Sequence, residues 1–189
     1  SDFAITVFFY YILNKVNIMQ NNLFSIPFFI DKVDLTKIQV KDTTLEPTFR
    51  SGLLSSFHTQ KEVKEETLTY LTKIISNNIK DLPTECKNIK IIGIWRNIYK
   101  KNNFQDPHIH TNSQWSFILY ENVDVSRTVF LNPYRHLAES QMYMYNSIFY
   151  PDMKPELHSG DIIIFPSFVE HYVLTGGEGS TIAGNVSVN

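Results

Sequence analysis

The sequence predicts a mainly β protein with a jelly-roll, cupin-like core over residues of about 85–189 and a flanking N-terminal helix. Two observations predict this fold. Short runs of β-branched and aromatic residues alternate with turn residues in the C-terminal half, and one amphipathic stretch precedes them. Short strands after a single helix favour a sandwich or barrel over a parallel α/β sheet.

The helix is predicted over residues 61–80, because Leu68, Leu71, Ile75 and Ile79 recur at helical spacing with polar residues between them. Before it, residues 20–60 mix apolar runs with breakers, which is typical of one or two strands joined by loops. After it come the strand-like runs, at 89–95, 113–120, 127–131, 161–166 and 181–189.

Length and composition favour one ordinary domain. The chain has 189 residues, 43% of them hydrophobic, so a core is available and wholesale disorder is excluded. We assign residues 19–189 to that domain and residues 1–18 to an N-terminal extension. The most apolar run, residues 3–13, is about half the roughly 20 residues that span a bilayer, so we expect no membrane association.

Charge and cysteine content exclude other classes of function. Seventeen Lys and Arg against nineteen Asp and Glu give a net charge of −2, and we expect no nucleic-acid partner. The one cysteine, Cys86, excludes an internal disulfide framework and a multi-cysteine zinc site. A reduced, cytoplasmic location is the simplest expectation.

Three histidines form a candidate metal site. His108 and His110 are two residues apart just before a strand-like run, so on extended backbone they share one face, roughly 6.6 Å apart. His171 follows the run at 161–166 and is the natural third ligand. Imidazole suits iron, zinc, copper and nickel, and three protein ligands leave positions open for other molecules.

The spacing alone also fits ordinary structural roles. A His-x-His pair is a weak signal, and a single histidine after a strand is more often a surface or hydrogen-bonded residue. We expect the other three, His58, His136 and His158, to be solvated or structural.

The order of several residues resembles that of the small single-domain iron(II)/2-oxoglutarate-dependent oxygenases of marine bacteria and their phages. The resemblance covers residues 19–189, and its most specific part is the stretch GDIIIFPSFVEHYV at 160–173. The other residues that carry it are Trp95, Asn97, His108, His110, Ser116, Tyr120, Asn132, Pro133, Tyr134, Arg135 and Asn185.

This resemblance implies a double-stranded β-helix that holds iron(II) in its mouth, with 2-oxoglutarate as cosubstrate and hydroxylation as the reaction. The family's metal histidines fall on His108 and His171. The wider superfamily usually has a carboxylate two residues after the first histidine, whereas this chain has His110, which we assign as the third ligand. Asp106 and Glu170 are the alternative carboxylates.

The resemblance also implies a cosubstrate pocket, and here the chain departs from the family. The arginine that usually binds the distal carboxylate of 2-oxoglutarate would fall near residues 179–181, where the sequence is GST. Either another cation replaces it, or the cosubstrate differs, or the activity is lost. The residues expected to bind the cosubstrate are Asn97, Tyr120, Arg127, Arg135 and Asn185, and those expected to form an apolar lining are Trp95, Trp115, Phe117 and Phe165.

Two other functions fit the same residues. One is a three-histidine metalloenzyme of another type, such as a cupin-like dioxygenase or a zinc enzyme. The other is a non-catalytic jelly-roll binding module. The expected partner is a small-molecule or peptidyl substrate, and exposed edge strands would also permit a homodimer.

Overall fold

The computed structural model describes residues 25–42, 44–59, 61–80, 82, 88–141 and 150–189. The predicted extension, residues 1–18, and Cys86 lie outside the described residues. The strands are β1 (Phe29–Lys32), β2 (Val40–Asp42), β3 (Glu46–Thr48), β4 (Leu53–Ser55), β5 (Lys61–Val63), β6 (Ile89–Tyr99), β7 (Gln105–His108), β8 (Trp115–Asn122), β9 (Thr128–Leu131), β10 (Asp152–Met153), β11 (Asp161–Pro166), β12 (His171–Val173) and β13 (Gly179–Val188). The helices are α1 (Glu65–Ile79), α2 (Arg135–Gln141) and a short 3-10 helix (Leu35–Lys37).

Two facing antiparallel sheets make up the core of the fold, and β2 and β5 pair as a separate two-stranded sheet. The larger has seven strands in the order β1-β11-β8-β13-β6-β4-β3, and the smaller has four in the order β10-β9-β12-β7. One cluster of buried residues joins the sheets, since it contains Phe130 of the smaller sheet and Ile163 of the larger. The predicted mainly β, double-stranded β-helix fold with a flanking helix is therefore confirmed.

Alternation along the central strands separates two cores. Ile162 and Ile164 of β11 belong to the cluster that packs on α1, whereas Ile163 and Phe165 belong to the cluster between the sheets. Successive side chains of a strand point to opposite faces, so a continuous apolar run is needed where both faces are covered. All six residues of β11 are buried accordingly.

Helix α1 covers the outer face of the larger sheet. Leu71, Ile75 and Ile79, spaced by four residues, are fully buried in the cluster on that face. The helix begins at Glu65, four residues after the predicted start, because residues 61–63 instead form β5 and pair with β2.

Strands from the N-terminal part of the chain extend the larger sheet. β1 pairs with β11 at one edge, and β4 pairs with β6 near the other. These strands precede residue 85, where the predicted β core begins. They place the segment around β3 and β4 beside the three histidines.

Candidate metal centre

The three predicted histidines lie together at one end of the smaller sheet. His108 ends β7 and His171 begins β12, and the two are register partners with ring centroids 4.4 Å apart. His110 lies past the end of β7, with its ring 5.6 Å from that of His108 and 5.1 Å from that of His171. One ring nitrogen of each residue lies within 4.8 Å of the others. The fold therefore brings together three imidazoles that are up to 63 residues apart in sequence.

Hydrogen bonds fix the tautomer of two of these imidazoles. Nδ1 of His108 lies 2.7 Å from the backbone oxygen of Asp106, and Nδ1 of His171 lies 3.0 Å from that of Val169. A carbonyl oxygen only accepts, so each Nδ1 carries a proton and donates it. Nε2 of both rings is then left as an unprotonated lone pair, which is the form that binds a metal ion.

Side chains rather than backbone orient the third imidazole. Nδ1 of His110 lies 2.6 Å from Oδ1 of Asn185 on β13 and 2.9 Å from Oγ of Ser116 on β8. With Oδ1 as acceptor, the proton of His110 is also on Nδ1. Ser116 continues this network, since its Oγ lies 2.8 Å from Oγ of the buried Ser167. Asn185 and Ser116 therefore aim Nε2 of His110 toward the other two rings.

Burial keeps all three rings neutral at ordinary pH. It lowers the pKa of His110 to about 4 and that of His171 to about 3, and it lowers the pKa of His108 from its usual value. Metal ions bind histidine in its neutral form, so this site needs no deprotonation to accept one.

Aromatic side chains surround the histidines. Trp95 lines the cavity beside the histidines, and its ring lies 5.5 Å from that of His110. Phe165 is fully buried and does not line that cavity, but its ring lies 4.9 Å from that of His171, so both belong to the aromatic surroundings of the site. Trp115 and Phe117 do not, because the alternation of β8 turns them into the core beneath α1. The expectation for those two residues is therefore wrong.

A cavity extends from the histidines between the sheets. Besides His108, His110 and His171, it is lined by four of the five residues expected to bind the cosubstrate: Asn97, Tyr120, Arg127 and Asn185. Asn97 accepts a hydrogen bond of 2.7 Å from Ser55. The fifth residue, Arg135, is not among the lining residues.

The two candidate arginines have different surroundings. Arg127 precedes β9, its guanidinium lies 5.3 Å from the ring centroid of Tyr99, and its Nη1 donates to the backbone oxygen of Leu174 at 2.8 Å. Arg135 begins α2 and donates to Oε2 of Glu170 at 2.7 Å. Arg127 thus faces the cavity, while Arg135 neutralises one of the alternative carboxylates.

The second alternative carboxylate is also engaged elsewhere. Oδ1 of Asp106 lies 3.5 Å from Nη1 of Arg50, and the backbone oxygen of Asp106 is the acceptor for His108. Among the residues that the structure describes, the group with metal-ligand geometry consists of the three histidines.

The end of the cavity near Arg127 carries uncharged polar groups, of which the sequence singled out Tyr120 but not Tyr99 or Gln105. Tyr99 donates to Oε1 of Gln105 at 2.7 Å, and Tyr120 donates to Oγ1 of Thr128 at 3.0 Å. Burial raises the pKa of Tyr120 to about 12, so its hydroxyl keeps its proton. Thr181, which stands where the family's arginine was expected, is buried and lines the same cavity.

Residues 93–181 match the family model described as "Putative 2OG-Fe(II) oxygenase". That segment contains the three histidines and Arg127. The chain resembles the 2OG-Fe(II) oxygenases. The predicted resemblance is confirmed, and the three histidines form a group that could hold a metal ion.

Solved structures of such oxygenases are similar to this chain at low identity. A 2OG-Fe(II) oxygenase-family oxidoreductase from Burkholderia pseudomallei is 14% identical, with 83% of this chain and 71% of that chain covered and a TM-score of 0.48. A prolyl-4-hydroxylase from Pseudomonas putida is 16% identical, with 76% of this chain and 77% of that chain covered and a TM-score of 0.48. Iron-bound HygX from Streptomyces hygroscopicus is 10% identical, with 86% of this chain and 82% of that chain covered and a TM-score of 0.47.

No curated protein matches the chain. In the described part of the sequence, no helix has both the length and the apolar character needed to cross a membrane.

Proposed function

We propose that this protein is an iron(II)- and 2-oxoglutarate-dependent dioxygenase that hydroxylates a small-molecule or peptidyl substrate. The observation that carries the proposal is one cavity with two features: three neutral imidazoles whose nitrogens converge, and a guanidinium. These are the groups that a metal ion and a dicarboxylate need.

The donor set fits a divalent transition metal. His108, His110 and His171 would hold the ion through Nε2, since each Nδ1 is hydrogen-bonded to an oxygen. Three neutral ligands leave the full positive charge on the metal, which favours an anionic chelator in the open positions. Iron(II) with 2-oxoglutarate would supply oxidative chemistry there: O2 oxidises 2-oxoglutarate to succinate and CO2, and one oxygen atom enters a C–H bond of the substrate.

Arg127 would bind the distal carboxylate of 2-oxoglutarate. Among the described residues lining the cavity it is the one side chain that is always charged, and its bond to Leu174 uses one of its five N–H donors. Thr181 and Thr128 offer hydroxyls at the same end of the cavity. In this arrangement a cation beside β9 replaces the one that the family carries on its final strand.

The other residues of the site would orient a metal ligand or shield the reacting atoms from water. Asn185 and Ser116 would hold His110 in its metal-binding orientation. Trp95 and Phe165 would keep water away from the reacting atoms, which protects an oxidising site from side reactions.

The test is anaerobic titration of the purified protein with iron(II) and then 2-oxoglutarate, followed by visible absorbance. We expect a charge-transfer band in the wild type that His110→Ala weakens. Metal binding without a band would refute the 2-oxoglutarate proposal and favour the other three-histidine enzymes. No metal binding would refute the metal site and favour a binding module.

A further inference from the structure

We propose that Phe49 and Phe57 form an aromatic clamp at the mouth of the cavity, and that the substrate inserts an uncharged, flat apolar group between them. This inference rests on the proposed function, because it takes the space beside the histidines as the substrate site. It names a substrate class and two specificity-determining residues.

Phe57 is the outer member of a series of ring contacts that begins at His110. Its ring lies 4.8 Å from Trp95 in an edge-to-face arrangement, and Trp95 lies 5.5 Å from His110. Its backbone N–H donates to Oγ of Ser55 at 3.1 Å, and this bond holds the backbone of Phe57 in place. Nevertheless 43% of Phe57 is exposed, and the residue lines the cavity.

Phe49 lies on the side of His108, with its ring 6.1 Å from that imidazole and 37% of the residue exposed. Its φ of 62° is a left-handed conformation, which bulky side chains rarely adopt and which concentrates at functional sites. A glycine or asparagine would fit this turn with less strain. An aromatic ring there needs a reason other than folding.

The turn that carries Phe49 is fastened to the strand of the metal site. Oγ of Ser51 donates to the backbone oxygen of Phe104 at 2.6 Å, and the backbone N–H of Phe104 donates back to it at 3.0 Å. Asn103 donates to the backbone oxygen of Ser51 at 3.0 Å. β7, which ends at His108, begins directly after this junction. The turn that carries Phe49 is therefore tied to the segment that leads to the histidines.

The mouth between the two rings is apolar. Ile109 lies between two of the histidines in sequence, lines the cavity and is 50% exposed. Of the charged side chains nearby, Arg50 pairs with Asp106, and Arg127 is the residue that the proposed function assigns to 2-oxoglutarate. Exposed apolar groups around a pocket mark a ligand site, and an ionised substrate group there would lose hydration without gaining a partner.

The test is fluorescence titration of the metal-free protein with the neutral probe N-phenyl-1-naphthylamine. We expect Phe57→Ala and Phe49→Asn each to raise the probe's Kd about tenfold, since each removes one face of the stack. Asparagine tolerates a positive φ, so Phe49→Asn preserves the turn. Phe28→Ala is the matched control, because Phe28 is 42% exposed and does not line the cavity, and it should leave Kd unchanged.

Competition then tests the charge of the substrate group. Indole should displace the probe at about one tenth of the concentration that tryptamine needs, because tryptamine has the same ring with an ammonium attached. Unchanged probe binding in both clamp variants would overturn the clamp, and equal or better displacement by tryptamine would overturn the uncharged substrate. Neither titration uses iron or 2-oxoglutarate, so failure of the proposed function would show separately, as a missing charge-transfer band.

Discussion

Oδ1 of Asn185 accepts a hydrogen bond from Nδ1 of His110 at 2.6 Å, which ties the last strand of the larger sheet to the loop that follows β7. This bond determines which nitrogen of His110 is free for a metal. Groups in this position commonly contribute 10- to 100-fold to metal affinity because they orient the ligand and raise its basicity.

Replacing Asn185 should therefore weaken metal binding although no ligand is removed. We expect Asn185→Ala to raise the Kd for iron(II), or for zinc as a stable substitute, by about 10- to 100-fold in a competition titration with a chromophoric chelator. Ser187→Ala, two residues further along β13 and outside the cavity, should bind metal like the wild type. Equal affinities in all three proteins would mean that Asn185 does not orient His110.

Arg127 and Arg135 are the two cations that could replace the missing arginine, and they provide a matched pair of variants. Arg127→Met should raise the Kd for 2-oxoglutarate about 10- to 100-fold, as expected from loss of a charge-assisted hydrogen bond, and should leave metal affinity intact. Arg135→Met removes only the contact with Glu170 and should change 2-oxoglutarate affinity little. Calorimetric titration of the zinc-loaded proteins with 2-oxoglutarate measures this Kd in both variants. A larger loss of 2-oxoglutarate affinity in Arg135→Met than in Arg127→Met would instead assign the cosubstrate contact to Arg135.

Local sequence patterns correctly predicted those strands and helices whose own residues have a clear periodicity. The run at 161–166 forms β11 with the predicted bounds, because a continuous β-branched segment between turn residues suits a strand that is buried on both faces. Helical spacing identified α1 by the same logic. The predicted start of α1 at residue 61 was wrong because Val63 pairs with Val40 of β2. No local periodicity in the sequence reveals that contact.

The site needed long-range information. His108 and His171 could be proposed as partners from residue type and spacing, but their register pairing depends on how β7 and β12 align. The choice between Arg127 and Arg135 was open in the sequence, because no local pattern shows which of them lines the cavity. Phe49 and Phe57 had no signal at all, since their role follows from where β3 and β4 join the larger sheet.

The metal-free protein should lose stability as the pH falls through the histidine range. In the folded state the pKa values of His110 and His171 are about 4 and about 3, whereas an unfolded histidine titrates near 6.5. Between these values the unfolded chain holds more protons, so the free energy of unfolding decreases on acidification from about pH 6.5 toward pH 4. Each histidine contributes a slope of up to about 1.4 kcal/mol per pH unit in that window.

Urea denaturation at several pH values measures this slope. His110→Gln should lower it by about 1.4 kcal/mol per pH unit, because one titrating group has been removed. His136→Gln is the control, since His136 is exposed on α2 and outside the cavity. If His110→Gln and the wild type share one slope, the imidazole of His110 is not held neutral by burial.

Gly184 on β13 should tolerate no side chain, whereas Gly93 on the neighbouring strand β6 should. A Cβ at Gly184 would lie 2.5 Å from the ring of Phe117 and 2.7 Å from the backbone oxygen of Gly93, and Phe117 is fully buried. A Cβ at Gly93 would make only ordinary contacts, the nearest at 3.7 Å to Trp95.

We expect Gly184→Ala to lower the free energy of unfolding by about 1–3 kcal/mol, because the buried core cannot take the extra volume. Gly93→Ala should stay within about 0.5 kcal/mol of the wild type. Urea midpoints give both values, and a Gly184→Ala protein as stable as Gly93→Ala would show that β13 and β8 are less closely packed than the contact with Phe117 requires.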